Sequence, residues 1–267
     1  MTEIAIVIVS YDAREDLVRC LASLHESPPA ATHEIIVVDN QSSDGSAEAA
    51  RAWPDVRVIV ADANRGFSAA NNAGIRATRS EFVLLLNSDT LVPRGALDGL
   101  LVALRRHGDA AAAGPRLVDG EGKVELSFGR MISPVSELRQ RRLQRRHMAH
   151  APHQSCEVED MTRAERWPDW VSGACLLVRR ADAQAVGLLD ERYFMYTEDV
   201  DFCTALRAKG RRILFTPDVE IVHFRGRSAS SAPAATRAAY RRSHLAFYEK
   251  HHPLLAPMLR LYRHFLQ

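Results

Sequence analysis

Polar side chains follow an apolar run directly, at a point where a buried strand is predicted to end. The run Phe82–Leu86 leads into Asn87, Ser88 and Asp89. A core strand without a chemical role usually ends in a plain turn, whereas these residues place several oxygen atoms at its tip. Hard divalent cations such as Mg²⁺ are bound by oxygen ligands of this kind. The stretch therefore predicts a site for a charged ligand at the end of a strand.

Two further apolar runs end in the same way. The first leads into Ser10 and Tyr11, and the second leads into Asp39 and Asn40. Ligands of open parallel sheets bind beyond the carboxyl ends of the strands, so all three polar sets should share one edge. Asp39 is suited to accept hydrogen bonds from a base or a ribose. Turn formation is the alternative role, but it does not explain acids placed directly after buried strands.

A loop of small residues leads into a helix between residues 63 and 75. It offers Asn64, Gly66, Phe67 and Asn71. Small residues allow a ligand to approach closely, and asparagine amides can hydrogen-bond a sugar or a base. The alternative role of the segment is tight packing of an alanine-rich helix on the sheet. Neither GxGxxG nor GxxxxGK[ST] occurs, which disfavours a dinucleotide-dependent dehydrogenase and a P-loop ATPase.

The second half of the chain adds an acidic cluster and a histidine. Glu198, Asp199 and Asp201 lie together in the stretch YTEDVDF. The helix dipole favours carboxylates at a helix start, but three acids exceed what capping requires. His223 ends a later apolar run, where a histidine is either a core residue or a ligand. The arginines at positions 225 and 227 are suited to bind phosphate oxygens.

Alternating strand and helix patterns must position these residues. Strands are predicted at Ile4–Val9, Ile35–Val38, Val56–Val60, Phe82–Leu86 and Ala110–Ala113. Helices are predicted between them at Arg14–Glu26, Asp44–Ala52, Ser68–Arg79 and Gly95–His107. Because the strands are apolar throughout and separated by helices, the pattern indicates a parallel sheet covered on both faces.

The pattern weakens between residues 129 and 169, where a short helix over Val135–His147 is the one element predicted. Later elements are predicted at Trp170–Val178 (strand), Thr197–Lys209 (helix), Ile213–Phe215 (strand) and Val219–His223 (strand). The pattern therefore indicates a nucleotide-type α/β half over residues 1–115 and, after a variable middle, a second half that returns to the sheet within residues 116–228. A helical C-terminal tail would span residues 229–267.

Composition and charge indicate a soluble or peripheral protein. The chain has 267 residues, of which 46% are hydrophobic, and a net charge of +2. Its four cysteines form no CxxC pair, which suits reduced thiols in the cytosol. No apolar segment approaches the roughly 18 residues of a membrane span, and no signal peptide is predicted. The arginines between residues 139 and 146 come without a nucleic-acid recognition motif, so a solvated face or a surface for an anionic, lipid-linked ligand is favoured over nucleic acid.

Four segments occur in the order IVIVSYDAREDLVRCLASL, EIIVVDNQSSDGS, NRGFSAANNAGI and FVLLLNSDT. Together they resemble the family 2 glycosyltransferases, in particular the bacterial rhamnosyltransferases, over about Ile4 to Ser228. The resemblance implies an α/β GT-A fold, with a mostly parallel central sheet flanked by helices on both faces. By this resemblance, residues 1–115 would form the nucleotide-sugar-binding half and residues 116–228 the acceptor and catalytic half, with a variable acceptor-side segment, of one GT-A domain. Residues 229–267 would form a helical C-terminal tail. The function implied is inverting transfer of a sugar in cell-envelope polysaccharide synthesis.

The resemblance also implies a metal site and a donor. Residues 87–89 stand where the family has a short acidic motif that binds a divalent cation, Mg²⁺ or Mn²⁺, with Asn87 replacing the first aspartate. Asp89 and His223 would be the metal ligands, and the cation would bridge the diphosphate of a nucleotide sugar. dTDP-rhamnose is the favoured donor, and a glycan or a polyprenyl-linked sugar is the expected acceptor.

Catalytic and acceptor-side residues follow from the same resemblance. Asp199 matches the general base of the family, and Glu198 is the second choice for that role. The segment WVSGACLLVRR places a Gly-Ala turn, Gly173 and Ala174, under the acceptor site, with Trp170 as a platform for a sugar ring. We expect the protein in the cytoplasm, at the inner face of the cytoplasmic membrane where it meets its acceptor.

Two other functions compete with this one. A sugar nucleotidyltransferase would share the sheet but would carry a glycine-rich, basic phosphate loop after its first strand, and SYDAREDL is not such a loop. A non-catalytic glycan-binding homologue would be expected to lack the acids. Because Asp39, Asp89, Asp199 and His223 are all present, the sequence favours an active transferase.

Overall fold

The computed structural model of the protein describes residues 2–149, 157–224 and 233–264. The arginines at positions 225 and 227, predicted to suit phosphate, lie outside these ranges. Strands and helices alternate through the first half of the chain, and strands of the second half join the same sheet.

The strands of the described residues are β1 (Ile4–Ser10), β2 (His33–Asp39), β3 (Val56–Val60), β4 (Phe82–Asn87), β5 (Thr90–Leu91), β6 (Ala110–Val118), β7 (Phe128–Gly129), β8 (Trp170–Val171), β9 (Cys175–Arg179) and β10 (Arg212–His223). The helices are α1 (Arg14–Glu26), α2 (Ser46–Arg51), α3 (Phe67–Ala77), α4 (Ala96–Arg106), α5 (Pro134–Ala149), α6 (Glu157–Met161), α7 (Arg180–Ala185), α8 (Glu198–Ala208), α9 (Pro233–His251) and α10 (Ala256–His264).

The described part of the chain forms one large sheet with the strand order β3-β2-β1-β4-β9-β6-β10-β5. Strands β1 to β4 are parallel, and β10 is parallel to β6, whereas β9 and β5 run antiparallel to their neighbours. The predicted mostly parallel α/β sheet is therefore confirmed. Its register pairs Ser10 with Asp39 and Val9 with Asn87, so three polar strand ends lie side by side.

Apolar side chains cover both faces of the sheet, as buried parallel strands require. Ile6 and Leu84 point to the face packed by α1 and α4, while Val7 and Leu85 point to the face packed by α3 and α8. Helix α3 lies very close to β1, since a Cβ placed on Gly74 would be 2.3 Å from Val7 Cγ1. The small residues of this helix therefore do pack it tightly on the sheet.

Three predicted strands of the second half are corrected by the structure. The strand predicted at Trp170–Val178 is two strands, β8 and β9, because residues 172–174 form a turn between them. The strands predicted at Ile213–Phe215 and Val219–His223 form one strand, β10, with a register shift between Thr216 and Glu220. Pro217 lies within this shift and lacks a backbone N–H for the ladder, which accounts for the interrupted pattern.

The C-terminal helices pack on the second half of the chain. Phe247 and Tyr248 of α9 are buried, and the Ser243 hydroxyl donates to the Met195 carbonyl at 2.7 Å. Lys250 Nζ and His251 Nε2 lie 2.8 and 2.6 Å from the two carboxylate oxygens of Asp201 on α8. The division into residues 1–115, 116–228 and 229–267 remains a prediction, although these contacts tie its last segment to α8.

Candidate active site

Strand β5 brings two distant parts of the chain together. It pairs with the end of β10, so that Thr90 is opposite His223. The Phe224 backbone N–H also donates to the Asp89 carbonyl at 2.8 Å. Asp89 Oδ1 consequently lies 3.3 Å from His223 Nε2, although the two residues are far apart in sequence. The structure therefore brings the two predicted metal ligands into contact.

His223 is nearly buried between two carboxylates. Its Nε2 faces Asp89 and lies 3.4 Å from Asn87 Nδ2, while its Nδ1 lies 3.2 Å from Glu125 Oε2. Burial alone would lower the pKa of His223, but the hydrogen bonds with Asp89 and Glu125 outweigh it and raise the pKa to about 9. Without a bound cation, the imidazole therefore carries a proton that both carboxylates attract.

Glu125 is a functional candidate that the sequence analysis missed. Its side chain is only 7% exposed, and it fixes one ring nitrogen of His223 so that the other nitrogen faces Asp89. Histidines that bind metals usually have such a carboxylate partner on their second nitrogen. The available signal was the acid within the apolar stretch KVELSF, although an exposed strand position gives the same pattern.

The turn at residues 172–174 contacts both the end of β4 and the start of α8. The Ala174 carbonyl accepts the Asn87 backbone N–H at 2.9 Å, and the Gly173 backbone N–H donates to Asp199 Oδ2 at 3.0 Å. A Cβ on Gly173 would lie 3.4 Å from Asp199 Cβ. The predicted Gly-Ala turn therefore lies directly against Asp199, with Trp170 just before it in β8.

Asp199 and Glu198 begin helix α8 in different surroundings. Asp199 lines the cleft described below, and its Oδ1 accepts the Val200 backbone N–H at 2.8 Å. Burial, and then the charge of Asp199, raise the pKa of Glu198 well above its ordinary value. This shift favours the protonated form of Glu198, whereas Asp199 opens onto the cleft.

Positive φ angles precede these acids. Tyr196 and Thr197 have φ angles of 71° and 67°, in the left-handed region that residues other than glycine rarely adopt. Thr197 Oγ1 donates to the Tyr196 carbonyl at 2.6 Å, and Ser243 of α9 holds the preceding Met195 carbonyl. Such strained backbone persists where the surrounding structure fixes it, and it concentrates at functional sites.

The loop before α3 is fixed to the segment before α8. The Phe67 backbone N–H donates to the Phe194 carbonyl at 2.7 Å, and Asn40 Nδ2 donates to Asn64 Oδ1 at 2.8 Å. Gly66 has a φ of +88°, and a Cβ there would lie 2.3 Å from the Phe194 oxygen. Hydrogen bonds therefore connect the predicted donor-binding residues of the loop before α3 to the segment that leads into α8.

Three predicted donor-side residues lie below the cleft surface. Ser10, Asp39 and Asn71 are each buried and do not line the cleft. Asn71 Nδ2 donates to the Phe67 carbonyl at 3.0 Å, inside its own helix. Ser10 Oγ and Asp39 Oδ1 have no hydrogen-bond partner among the described residues. These two orphaned atoms lie on paired strand ends, where a bound ligand would satisfy them.

A cleft of about 650 Å³ lies over this arrangement. Its lining includes most of the predicted site residues, which are Tyr11, Asn40, Asn64, Gly66, Phe67, Asn87, Ser88, Asp89, Trp170, Gly173, Ala174, Glu198, Asp199 and His223. Sequence analysis did not anticipate its other wall, formed by Glu137, Gln140 and Arg141 of α5 and Tyr240 of α9. No signal in the sequence connects these two helices.

Among the described residues, no group of three or more His, Cys, Asp and Glu side chains is arranged to hold a metal ion. Protein side chains alone therefore do not form a complete metal site there. Asp89 and His223 can supply two ligands only. Mg²⁺ commonly uses one or two carboxylates and completes its shell with substrate phosphates and water. The pair therefore suits a cation that binds together with a phosphorylated ligand.

Comparison with known proteins assigns the family. Residues 5–158 match the model of Glycosyl transferase family 2, so the chain belongs to this family and is a glycosyltransferase. It is 32% identical over 265 residues to N-acetylglucosaminyl-diphospho-decaprenol L-rhamnosyltransferase of Mycobacterium tuberculosis, covering 94% of this chain and 86% of the relative. It is 24% identical to the hexosyltransferase Agl10 of Haloferax volcanii, covering 84% and 67% of the two chains. The predicted family and enzyme class are confirmed.

Solved structures share the fold. The mannosyltransferase PcManGT of Pyrobaculum calidifontis, solved in complex with GDP-Man and Mn²⁺, matches with a TM-score of 0.65 at 19% identity, covering 97% of this chain and 68% of that one. TarS of S. aureus matches with a TM-score of 0.60 at 15% identity, covering 89% and 64%. At these identities the likeness establishes a glycosyltransferase fold of the predicted GT-A type.

Proposed function

We propose that the protein is an inverting, metal-dependent rhamnosyltransferase. It would move the sugar from a nucleoside diphosphate donor, with dTDP-rhamnose favoured, to a hydroxyl of a polyprenyl-linked glycan. The observation that carries the proposal is the cleft in which the Asp89–His223 pair and the Asp199 carboxylate face one ligand space. The similarity to the mycobacterial rhamnosyltransferase over nearly the full chain supports the choice of sugar.

The donor would lie across the strand ends. Asp39 and Ser10 offer unsatisfied polar atoms to the nucleoside, while Asn40, Asn64 and Phe67 belong to the adjoining rim. Asp89 and His223 would hold the cation, which supplies positive charge to the departing diphosphate. Because a cation beside Asp89 competes with the proton on His223, its binding should release that proton.

Asp199 would act as the general base. The acceptor hydroxyl oxygen attacks the anomeric carbon as the bond from that carbon to the diphosphate oxygen breaks. Asp199 takes the hydroxyl proton, and the nucleoside diphosphate leaves with the bonding electron pair. Attack opposite the leaving group inverts the anomeric configuration. Gly173 and the backbone of Val200 keep the Asp199 carboxylate in place through hydrogen bonds to its two oxygens.

The acceptor would enter from the side of Trp170 and α5. The name of the mycobacterial relative specifies a sugar linked through a diphosphate to decaprenol. An acceptor of this class is anchored in a membrane, so the enzyme would act as a peripheral protein at the cytoplasmic face. None of the described helices is both long and apolar enough to cross a bilayer.

A transfer assay tests the proposed function. The full chain, with Mn²⁺ or Mg²⁺, should transfer sugar from dTDP-rhamnose to polyprenyl-diphosphate-linked N-acetylglucosamine, and chelation should stop the reaction. dTDP-rhamnose should also raise the unfolding temperature more than GDP-mannose or UDP-glucose does, because a ligand that binds the folded state stabilises it by mass action. Stronger stabilisation and faster transfer with another nucleotide sugar would reject rhamnose as the donor sugar.

A further inference from the structure

We propose that helices α5, α9 and α10 form a surface that docks the enzyme on an anionic lipid bilayer, with the acceptor side of the cleft at its edge. We call these three helices the docking surface. The inference rests on the proposed lipid-linked acceptor and adds the part of the protein that meets the membrane. Charge, exposed apolar side chains and continuity with the cleft support it independently.

The basic charge of the protein is concentrated on the docking surface. Its three helices carry eleven arginines and lysines against two glutamates, whereas the whole chain has a net charge of +2. The rest of the chain is therefore net acidic. A cytoplasmic leaflet rich in anionic lipids attracts basic segments near its surface. This uneven distribution would orient the protein with these helices towards the bilayer.

Helix α5 presents apolar and basic residues along one outward face. Val135 and Leu138 are 78% and 52% exposed, and the exposed arginines Arg139, Arg142 and Arg145 follow at helical spacing. Its opposite side supplies residues 137, 140 and 141 to the cleft. The helix therefore faces the ligand space on one side and solvent on the other.

Helix α10 and the turn before it present a second set of exposed apolar side chains. Leu254, in the turn, is 90% exposed, and Met258 and Leu261, three residues apart on one face of the helix, are 69% and 59% exposed. Leu255 and Leu259 pack on the other side against the buried cluster of α9. Exposed leucine and methionine beside arginine is the composition of a helix that lies in the membrane interface.

Hydrogen bonds join the three helices and the cleft. Glu137 of α5 accepts bonds from His244 and Tyr248 of α9 at 2.6 and 2.8 Å. His252, between α9 and α10, bonds the Ile132 carbonyl just before α5 at 2.7 Å. Among the described residues, five of the nine large exposed hydrophobic side chains, Val135, Leu138, Leu254, Met258 and Leu261, lie on the outside of this unit, and a sixth, Tyr240, lines the cleft. A bilayer that covers them would also lie beside the acceptor-side wall of the cleft.

Vesicle flotation with the full chain tests the inference without donor or acceptor. The protein should float with vesicles of phosphatidylcholine and phosphatidylglycerol, and much less with phosphatidylcholine alone or in high salt. Replacing Arg139, Arg142 and Arg145 by Gln should weaken binding about tenfold or more. Leu254→Ser with Met258→Ser should also weaken it. The matched controls Arg106→Gln and Val102→Ser, exposed on α4, should bind like the wild type.

Each result bears on the inference separately from the proposed function. Failure to float with anionic vesicles, or equal losses in the α4 controls, would overturn the docking surface. Tighter binding to duplex DNA or RNA than to vesicles at equal salt would also overturn it, in favour of a nucleic-acid surface. Transfer to a water-soluble acceptor analogue tests the proposed function, because that reaction needs no bilayer. Circular dichroism of each variant verifies that its fold is retained.

Discussion

At the scale of single residues, the two adjacent acids at the start of α8 differ in their surroundings. Burial and the neighbouring Asp199 raise the pKa of Glu198 well above its ordinary value, which favours its protonated form. A protonated carboxylic acid cannot accept the acceptor proton, and Asp199 is held towards the cleft by the Gly173 backbone N–H. These surroundings favour Asp199 as the base over Glu198, which the sequence motif alone leaves as alternatives.

We predict that Asp199→Asn lowers transfer by about 10²- to 10⁴-fold, the scale for loss of a general base. Donor affinity should be retained, because the donor would be held by the strand ends. Glu198→Gln should cost much less, because burial raises the pKa of Glu198 and disfavours the carboxylate form that a base requires. Single-turnover rates and calorimetric donor affinities for both variants provide the measurement. A larger rate loss for Glu198→Gln would assign the base to Glu198.

A second prediction concerns Glu125, which we expect to orient His223 for the cation. Glu125→Gln keeps the size of the side chain but weakens its hold on the imidazole. Loss of such a partner typically lowers metal affinity by about 10- to 100-fold. The free Mn²⁺ signal in electron paramagnetic resonance, recorded with dTDP present, measures this affinity without turnover.

Glu220→Gln is the matched control for Glu125→Gln. Glu220 lies on β10 three residues before His223, and its partly exposed carboxylate pairs with Arg116 at 3.7 Å. Mn²⁺ affinity should be unchanged in this variant. If Glu125→Gln and Glu220→Gln both bound Mn²⁺ like the wild type, Glu125 would have no positioning role.

The sequence was informative for residues that follow apolar runs and uninformative for Glu125. Asp89 and His223 could be selected because polar side chains at the ends of buried strands require an explanation. Glu125 alternates with apolar neighbours, and an exposed acid on an ordinary strand shows the same pattern. Its burial depends on the position of β10, which no local pattern reveals.

At the scale of elements, the contact between the loop before α3 and the segment before α8 holds the two sides of the cleft together. Gly66→Ala should disrupt it, since the added Cβ would lie 2.3 Å from the Phe194 oxygen at a φ of +88°. Gly210→Ala is the control, because Gly210 has a φ of +79° but open space around it. We expect Gly66→Ala to destabilise the protein by at least about 2 kcal/mol more than the control.

Urea unfolding of both glycine variants measures this difference, and donor affinity should fall in Gly66→Ala alone. Equal losses of stability would mean that the backbone conformation, and not the close contact with Phe194, is the reason for glycine at position 66. The positive φ angle costs both variants a similar amount, so the comparison isolates the steric contribution.

Most long elements could be predicted from the sequence, while the short ones could not. The boundaries of α1 and β3 agree with prediction, because each has a clear periodic pattern. Strand β5 has only two residues, too few for any periodicity, yet it brings Asp89 to His223. The turn between β8 and β9 was missed because apolar residues continue on both sides of Gly173.

At the scale of the whole molecule, the position of the C-terminal helices was beyond sequence reasoning. Basic and amphipathic character identified α5 and the tail separately, but their contact depends on Glu137 meeting His244 and Tyr248 across more than a hundred residues. Long-range polar contacts of this kind leave no periodic signal. The structure makes α9 part of the wall of the cleft, through Tyr240.

The last prediction tests whether α9 is energetically part of the catalytic domain. Asp201 is 2% exposed and receives hydrogen bonds from Lys250, His251 and Tyr193, so removing one donor leaves a buried carboxylate less well paired. Lys250→Met should therefore lower the free energy of unfolding by about 1.5–3 kcal/mol, as expected for hydrogen bonds to charged groups. The variant should still unfold in a single transition.

Arg51→Met is the control for Lys250→Met, since Arg51 pairs with Glu48 on the exposed surface of α2 at 3.2 Å. Pairs of this kind contribute about 0–1 kcal/mol, so the control should unfold almost like the wild type.

Urea unfolding followed by both tryptophan fluorescence and circular dichroism measures the two variants. An independent tail would lose its helix content in an early transition by circular dichroism. That transition would be separate from a later, unshifted main fluorescence transition, which Trp53 and Trp167 report from the core of the sheet. Coincident, shifted transitions would instead establish that residues 233–264 fold together with the sheet, and that the acceptor-side wall of the cleft depends on the Asp201 contacts.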